Sequence, residues 1–588
     1  MRQRLVHATD ETRALLQPAP LRHRADIDGL RAVAIIPILL LHCGLTRLKG
    51  GFVGVDIFFV VSGFLITGIL QREMSDATFS FRDFYRRRIV RLLPALAVML
   101  AVTLVAGILL LLPRPLADLG RSTAATGLLA SNAYFYATSD YFAAASDGKP
   151  LIHTWSLAVE EQFYILYPLL LIGLAKVHSH LRLKILTGLA VASFATGAAL
   201  AWLAPSAGFF LLPARVWELL LGALVASGVL ERFPCSARLR NMACAIALIV
   251  LVACIFETRS GWPFPVPFAL PVAVATAILL GWGQHGLTAS LLSLAPLRLV
   301  GLASYSIYLW HRPIIAYYQW ETGSSLDGWE PAGLVAACLL AGFLSYYLVE
   351  RPAMRAWRHG KGHGVHLAGV ATLTVFALSG LAVSQNSDAL RPLSPANRVA
   401  ASYLGFDTTP AGKAQFGTDR CFTIPTGAPY DRATCLALSS TRPNVLLLGD
   451  SHAAQLSQAL RAALPSANLL QATAAGCRPL IGGKGLAGCR AIMGAALHGI
   501  DLGKVDTVII AGRWLDAEAP ALVETVSSIA MRGPDVIVVG PMVEYDLDMP
   551  VLVVRASEQR DRQLPARYRL REREERKRSK SPTFSSSR

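Results

Sequence analysis

Long apolar stretches constrain the fold of this 588-residue chain more than any other feature of its sequence. A run of about 20 apolar residues matches the thickness of the hydrocarbon core, and lipid requires such a run to be helical because its backbone must bond to itself. The chain is 53% hydrophobic and 16% charged, as expected of a polytopic membrane protein with some soluble mass. The predicted spans are residues 29–45, 54–70, 92–112, 157–175, 185–203, 209–229, 242–255, 264–282, 299–319 and 331–349.

Basic residues set the expected orientation of these spans. The net charge is +17, and Arg and Lys cluster beside apolar stretches, as they do in cytoplasmic loops. This pattern predicts a cytoplasmic segment at residues 1–25, membrane lipid as a partner and no nucleic acid. No apolar region with a small-residue cleavage site is seen near the start, so we expect the first span to be an uncleaved anchor. An eleventh span at residues 367–383 then takes the chain outside.

Two ionisable residues lie inside the first predicted span. Arg31 and His42 are eleven residues apart, which is about three helical turns, so both face one side of the helix about 16 Å apart along its axis. An ionisable group at this depth costs roughly 2.5 kcal/mol or more and indicates a functional site by default. The structural alternatives are an arginine that snorkels to the interface and a histidine bonded to a neighbouring helix.

After about Ser384 the pattern changes to short apolar strands separated by helix-length segments. Continuous apolar strands of this kind indicate a parallel α/β sheet. Four cysteines in this expected exoplasmic part predict two disulfides. The sequence does not fix their pairing, although Cys421 with Cys435 and Cys477 with Cys489 is the local option. The five earlier cysteines lack metal-ligand spacing and are expected to pack as small apolar residues.

Seven motifs follow one another through the membrane part of the chain. They are RAVAIIPILLLH (31–42), GGFVGVDIFFVVSGFLIT (50–67), FYRRRIVRLLP (84–94), HTWSLAVEEQFYILYP (153–168), PARVWELLLG (213–222), LASYSIYLWHRPI (302–314) and YYLVERP (346–352). In this order, they closely resemble the acyltransferase-3 family, integral-membrane enzymes that O-acylate cell-surface polysaccharides. The resemblance covers residues 26–358.

The resemblance implies transfer of an acyl group, usually acetyl, from cytoplasmic acyl-CoA to a hydroxyl outside. A neutral imidazole can take the proton of an alcohol near neutral pH, so His42 is the expected general base. The residues do not decide whether His42 instead carries the acyl group as a nucleophile. Arg31, nearer the cytoplasm, is expected to bind a CoA phosphate or to stabilise developing negative charge.

Arginines between the second and third predicted spans form the densest basic run among the spans. Without the family such a run would be interpreted as a topology signal, but guanidinium groups also match phosphate oxygens in a bidentate fork. With the resemblance, Arg88 and Arg91 are the predicted ligands of acetyl-CoA, supported by Arg87. Acetyl-CoA is then a substrate, and no permanently bound cofactor or metal is expected.

The fourth predicted span opens with two carboxylates and an aromatic motif. In the family motif Glu160 is predicted to orient an imidazole or an acceptor sugar. The alternative for Glu160 and Glu161 is to offset the helix macrodipole, worth roughly 0.3 to 1 kcal/mol. His153 and Trp155 are predicted to line an outer vestibule and to contact the acceptor. Anchoring at the membrane interface is the alternative for Trp155.

Other charged residues in the spans have less defined expectations. Asp56, Arg215 and Glu218 are predicted to form intramembrane ion pairs that neutralise one another. His311 and Glu350 fall in family motifs at the ends of late spans, and the sequence gives them no particular role.

The exoplasmic part carries GDSH at residues 449–452, directly after the strand NVLLL. A sharp turn between a strand and a helix presents a serine hydroxyl and backbone N–H groups to an acyl group. The turn resembles the first block of SGNH hydrolases, which are often fused behind acyltransferase-3 domains. The resemblance makes Ser451 the nucleophile, Asp450 a neighbouring orienting residue and Gly476 the oxyanion-hole glycine. The third block, AGRW at 511–514, lacks the usual Asn.

The last SGNH block, Asp-x-x-His, is not found, because no histidine follows His498. A serine without its base loses orders of magnitude in activity, so the outer domain is predicted to be an impaired catalyst. The charged, serine-rich end is predicted to be disordered. The expected domains are a cytoplasmic segment, the acyltransferase-3 unit, a linking helix, an SGNH-like domain and the tail, at residues 1–25, 26–358, 359–390, 391–554 and 555–588.

The expected fold is therefore a polytopic α-helical membrane domain of about ten transmembrane helices plus one linking helix, followed by an α/β, flavodoxin-like periplasmic domain. Two functional classes stay open. One is an O-acetyltransferase of the bacterial inner membrane that modifies lipopolysaccharide O-antigen, exopolysaccharide or a lipid-linked sugar. The other is a non-enzymatic glycolipid transporter or scaffold with an outer binding module. A lesser alternative is an outer deacetylase that depends on Ser451.

Overall fold

The computed structural model divides the chain into two compact units, Met1–Pro392 and Leu393–Arg588. The predicted cytoplasmic segment lies almost wholly outside the described residues. The structure describes residues 24–45, 47–139, 148–259, 262–323, 326, 328–356, 363–418, 420–423, 430–481, 487–515 and 518–570.

The first unit is built of helices. Seven described helices are long and apolar enough to cross a membrane, or eight if the bent pair Ala269–Trp282 and Gly286–Leu292 forms one span. Its helices are α1 Ala25–His42, α2 Gly54–Ser75, α3 Phe81–Leu110, α4 Pro113–Gly127, α5 Ser131–Thr138, α6 Thr154–Gly173, α7 Ser179–Leu203, α8 Pro205–Phe210, α9 Leu212–Ala226, α10 Ala237–Glu257, α11 Ala269–Trp282, α12 Gly286–Leu292, α13 Ala295–Leu302, α14 Ser304–Thr322, α15 Glu330–Ser345, α16 Arg351–Ala356, α17 His363–Gln385 and α18 Ser387–Leu390.

The structure differs from the predicted spans in several places. The predicted span at 209–229 is interrupted at Leu211, between α8 and α9. Helix α3 begins at Phe81, so the basic run lies in its first turns and not in a loop. Helix α4 is additional, because its polar and small residues do not have the hydropathy of a span. The predicted span at 299–319 is broken at Ala303 into α13 and α14.

The linking helix α17 packs closely on α4 through small residues. A Cβ atom at Gly120 would lie 2.6 Å from the Gly380 carbonyl oxygen, and one at Gly127 would lie 2.7 Å from the Ala377 nitrogen. Small residues allow this approach of two backbones, which is a common way to join helices in lipid. The predicted linking helix is therefore part of the helical bundle.

The second unit contains the predicted parallel sheet. Its strands are β1 Phe422–Thr423, β2 Asn444–Gly449, β3 Asn468–Ala474, β4 Thr507–Ala511 and β5 Asp535–Val538, and all pair in parallel in the order β1-β3-β2-β4-β5. The sequence predicts the last four. It misses β1, an edge strand of two residues, because so short a segment shows no pattern.

The helices of the second unit include residues that the sequence assigns to a tail. They are α19 Pro395–Ser402, α20 Pro410–Phe416, α21 Arg432–Cys435, α22 Ser451–Ala454, α23 Ser457–Ala463, α24 Ala487–Leu497, α25 Ala519–Ala530, α26 Met549–Glu558 and α27 Leu564–Arg567.

The predicted start of a disordered tail at residue 555 is wrong. Helix α26 continues through it and buries Val551, Leu552 and Val554 while it packs against α19. A single apolar face was enough to form this helix despite its charged surroundings. The rest of the predicted tail, residues 571–588, lies outside the described residues.

Two disulfides join the loops of the second unit. They pair Cys421 with Cys435 and Cys477 with Cys489, the local option. Next to the first of them, the Tyr430 hydroxyl donates to the Gln471 carbonyl oxygen at 2.7 Å. Burial raises the pKa of this phenol. These connections fix the long segment that leads into β2.

Candidate active site

A cavity of about 80 Å³ lies among α1, α2, α3, α6 and α14 of the membrane unit. Its polar wall combines guanidinium, carboxyl and hydroxyl groups, and its remaining wall is aliphatic and aromatic. Ligand sites are typically of this kind, mostly apolar with a few convergent polar groups. We call it the first cavity. Its polar lining residues are Arg31, Ser62, Arg88, Arg91, Ser156, Glu160, Tyr164, Ser304, Tyr305 and Tyr308.

Three of the predicted arginines line the first cavity and one does not. Arg31, Arg88 and Arg91 are on its wall, whereas Arg87 is tied to Glu73, its Nη2 atom lying 2.6 Å and 2.9 Å from the two carboxylate oxygens. A guanidinium bound to a carboxylate has fewer donors left for a phosphate. The position of Arg87 therefore does not support its predicted role in acetyl-CoA binding.

Arg88 is held over two aromatic rings. Its Cζ atom is 5.7 Å from the Phe84 ring centre and 5.6 Å from that of Tyr164. Its Nε atom is buried with no hydrogen-bond partner among the described residues. Cation–π contact holds the side chain in place and leaves its other donors for an anionic ligand.

Glu160 is anchored by hydroxyl groups. Its two carboxylate oxygens accept from the Ser62 hydroxyl at 2.9 Å and the Tyr164 hydroxyl at 3.1 Å, and it interacts electrostatically with Arg31 and Arg91. A macrodipole role at a helix start needs no such partners, so its position favours the predicted part in the site. Glu350, in the motif YYLVERP, is also bound by a hydroxyl group: its Oε2 atom accepts from Ser306 at 2.7 Å.

His42 belongs to a cluster of three imidazoles. Its ring centre is 5.3 Å from that of His311, and the His153 ring centre is 5.4 Å from that of His311. His153 is 3% exposed and His311 is 0% exposed. His42 thus faces polar groups and not bare hydrocarbon. The structure places His153 inside this histidine cluster, and its contact with an acceptor in an outer vestibule stays a prediction.

The tautomer of His311 follows from its backbone contact. Its Nδ1 atom lies 2.6 Å from the Tyr308 carbonyl oxygen, which can only accept, so Nδ1 carries the hydrogen in the neutral ring. Its Nε2 atom then presents a lone pair, and this atom is buried with no partner in the described part of the chain. A ring oriented by a carbonyl in this way is suited to accept a proton.

Tyr308 and Ser156 join the first cavity to the histidine cluster. Both line the cavity, and their hydroxyl oxygens lie 2.7 Å apart. The Tyr308 ring centre is 5.2 Å from that of His311 and 5.5 Å from that of His153. Arginines on one side and imidazoles on the other are therefore separated by one layer of hydroxyl groups.

The predicted ion pairs around Arg215 are confirmed. Its Nη2 atom is 2.7 Å from an Asp56 oxygen and its Nε atom is 3.2 Å from a Glu218 oxygen. Four aromatic rings enclose the guanidinium at 5.3 to 5.7 Å from their centres, and they belong to Phe59, Trp155, Phe209 and Phe264.

Trp155 has a packing role in this cage. It is 1% exposed and is absent from the described lining of the first cavity. The prediction that its indole contacts an acceptor sugar is therefore not supported by its position. The alternative, an anchor at the membrane interface, is not supported either, because the side chain is buried inside the helical bundle.

The sequence misses the hydroxyl groups and the role of His311. Ser62, Ser156 and Tyr308 carry no charge and are common in packed helices, so spacing alone does not single them out. The motif YLWHRPI did place His311 in a family block. Only the fold shows that α14 brings it beside His42, which is 269 residues earlier in the chain.

The second unit forms the predicted strand–turn–helix at Ser451. Gly449 ends β2 with φ +151°, and a Cβ atom there would lie 1.8 Å from the Ala511 carbonyl oxygen, so the turn requires glycine. The Asp450 carboxylate accepts from the backbone N–H groups of His452 and Arg513, each at 2.8 Å. It therefore stabilises the turn and connects the first block to the third.

The remaining parts of the SGNH site are incomplete in the described chain. Gly476 has φ +65° and follows β3, as its predicted block requires. His452 Nε2 lies 3.5 Å from Glu544, whose other oxygen is 2.8 Å from the Arg513 guanidinium. This carboxylate therefore lies between the histidine beside Ser451 and the Arg513 guanidinium.

Comparison with known proteins agrees with both units. A family described as an acyltransferase domain matches residues 24–351. A second, described as an SGNH domain fused to such domains, matches residues 420–585. The second match extends past the predicted domain end at residue 554, a further correction of the assigned tail. No solved structure matches the chain.

Curated relatives match the membrane unit. A protein of Bacillus subtilis provisionally named peptidoglycan O-acetyltransferase YrhL is 35% identical over 56% of this chain and 55% of its own length. One of Komagataeibacter xylinus provisionally named membrane-bound transacylase BcsY is 32% identical over 57% and 84%. The peptidoglycan O-acetyltransferase OatA of Listeria monocytogenes is 33% identical over 55% of both chains.

The chain thus spans about half the length of two of these relatives and most of the third. The acyltransferase match covers more than half of the 588 residues, and it includes the arginine-lined cavity and the histidine cluster. The chain is a multi-pass membrane protein that belongs to the acyltransferase-3 family, with an SGNH domain fused behind its membrane unit.

Proposed function

We propose that this protein is an O-acetyltransferase that moves an acyl group from acetyl-CoA to a hydroxyl of a cell-envelope polysaccharide. The observation that carries the proposal is the contact between the arginine-lined first cavity and the histidine cluster, through Ser156 and Tyr308. An anion-binding site and a proton acceptor are the two parts that acyl transfer from CoA to an alcohol needs.

The chemistry assigns a role to each part. Arg88 and Arg91 bind CoA phosphates, and Arg31, on the same wall of the first cavity, adds a third cation for them. His42 takes the hydroxyl proton of the acceptor, the oxygen forms a bond to the acyl carbon, and the carbon–sulfur bond breaks to release the CoA thiolate. His311, next to His42, stabilises the resulting imidazolium or passes on its proton. A transient acyl-imidazole on His42 is the alternative route.

Other observations support the proposed acceptor and the proposed location. Two relatives are named as peptidoglycan O-acetyltransferases, which supports a polysaccharide acceptor of the envelope. Lipopolysaccharide O-antigen, exopolysaccharide and a lipid-linked sugar are the specific acceptors proposed. Two disulfides in the second unit support an oxidising compartment, and we propose a periplasmic second unit. The proposed location of the multi-pass membrane unit is the inner membrane, with the N-terminus in the cytoplasm.

Transfer of label tests the proposal. The purified chain in vesicles receives acetyl-CoA labelled in the acetyl group, together with envelope polysaccharide, and ester-linked label is counted. The parent should form base-labile esters, and His42→Ala should lower the rate by about 10²- to 10⁴-fold. His178→Ala, an exposed histidine outside the site, serves as the matched control. Equal transfer by His42→Ala and the parent would contradict the assignment of His42.

The same assay distinguishes the acetyltransferase from the non-enzymatic alternative. A glycolipid transporter or scaffold would bind the polysaccharide or move the glycolipid without consuming acetyl-CoA. Release of free CoA that depends on the acceptor favours the enzyme. Binding of the acceptor with no thioester cleavage would favour the transporter.

A further inference from the structure

A second cavity lies beside the first. It has a volume of about 320 Å³ and lies among α3, α6, α14, α17 and the loop and helix ends around Leu129. Its wall is mostly aliphatic, with Ile89, Leu93, Leu96 and Leu373 among the lining side chains. Transfer of a two-carbon acetyl group does not need a space of this size and character.

The two cavities meet at a set of residues that line both. The shared residues are Arg88, Leu92, Leu157, Glu160, Tyr164 and Tyr305. Leu157 follows Ser156 on α6, and Tyr305 lies one turn before Tyr308 on α14, so an acyl group expected beside the Ser156 and Tyr308 hydroxyls is next to the second cavity. The apolar space is therefore continuous with the place where the thioester is expected.

The polar groups of the second cavity favour a neutral chain over a fatty acid. Glu160 and Glu161 line it together with His366 and Arg88. A free fatty acid would bring a third carboxyl group beside those of Glu160 and Glu161, whereas a thioester carbonyl carries no charge at any pH. We propose that the second cavity holds the acyl chain of the donor, so that this enzyme accepts acyl groups longer than acetyl as well as acetyl itself. This inference rests on the proposed function.

The competing occupant is a bilayer lipid. Val370 and Ile165 border the cavity and are 62% and 41% exposed, so one side faces the lipid surroundings. A lipid chain would fill the space whatever donor is bound, and it would not change donor preference. An acyl chain of the donor makes chain length matter, because each buried methylene strengthens binding about fourfold.

The preference for donors of different chain length distinguishes an acyl chain of the donor from a bilayer lipid in the second cavity. The purified full chain in vesicles is given CoA thioesters of two, four, six and eight carbons, and kcat/KM for transfer is measured for each. We expect kcat/KM to rise from acetyl over the first added methylenes. Leu373→Trp, which fills the cavity from α17, should lower the ratio of octanoyl to acetyl transfer at least tenfold. Ile89→Phe, which adds bulk from α3, should also lower this ratio.

The control is Leu378→Trp, on the same helix, 61% exposed and outside the described cavity lining, which should keep the parent's ratio. A preference for acetyl that neither filling variant changes would overturn the inference and leave the proposed function intact. Turnover of no thioester, acetyl-CoA included, would overturn both.

Discussion

The two units of this protein each carry residues for acyl chemistry, but they differ in completeness. The membrane unit brings three imidazoles, three arginines and a buried carboxylate to one place. The second unit shapes a nucleophile turn at Ser451, and its neighbouring histidine pairs with Glu544. The difference teaches that backbone bonds to Asp450 can hold the turn at Ser451 in shape, whatever other groups surround the serine. We therefore attribute transfer to the membrane unit.

Among the changes described here, removing His311 from the membrane unit should have the largest effect on the rate of transfer. The expected loss for His311→Ala is about 10²-fold or more in kcat, because His42 loses its neighbouring imidazole and the bundle is left with an unfilled polar space. Single-turnover transfer rates check it, with His178→Ala as the control. Restoration of activity by added imidazole would separate a chemical role from a packing role, and a kcat within twofold of the parent would refute the assignment.

Arg215 tests whether the site depends on its enclosed ion pair. Arg215→Met leaves Asp56 and Glu218 buried beside each other without a counter-charge, which should cost about 3 to 5 kcal/mol of stability. Thermal unfolding in detergent measures the change. Arg232→Met, an exposed arginine of the same unit, should unfold like the parent. Unaltered unfolding of Arg215→Met would show that the pair is dispensable.

The two neighbouring arginines should differ in donor binding. Arg88→Ala should raise KM for acetyl-CoA about tenfold to a hundredfold, the value of a hydrogen bond between charged groups, with less change in kcat. Arg87→Ala is the adjacent control, because its guanidinium is bound to Glu73 and its loss should change KM less than threefold. Equal effects from the two variants would contradict the assignment of the donor site.

Ser451→Ala should have the smallest effect. If the second unit lacks an active base, thioester cleavage and transfer should stay within about twofold of the parent, since catalysis by a serine needs its partner. Acetate release from acetylated polysaccharide provides the second measurement. A large loss in either assay would show that the second unit is catalytic after all and would favour the deacetylase alternative.

Much of this architecture could be predicted from the sequence because lipid restricts the choice of structure. The apolar stretches marked the spans, and β2 to β5 followed from continuous apolar runs. Arg31 and His42 could be assigned because charge inside a span is costly. The disulfide pairing stayed open because two loops of similar length permit more than one option.

The rest depended on contacts that no local pattern encodes. Trp155 has the sequence of an interface aromatic but packs on Arg215, since the fold brings α9 against α6. Helix α4 is too polar to be recognised as a span, yet its glycines permit close packing on α17. Helix α26 has only a short apolar face in the sequence, and packing against α19 buries this face and stabilises the helix.

The central claim is that donor and proton acceptor meet across the Ser156–Tyr308 layer. A structure of the full chain with a non-hydrolysable acetyl-CoA analogue tests it most directly. We predict CoA phosphates at Arg88 and Arg91 and the acetyl carbonyl beside the Tyr308 hydroxyl, on the side that leads to His42. An analogue bound elsewhere on the membrane unit, with the first cavity empty, would contradict the account.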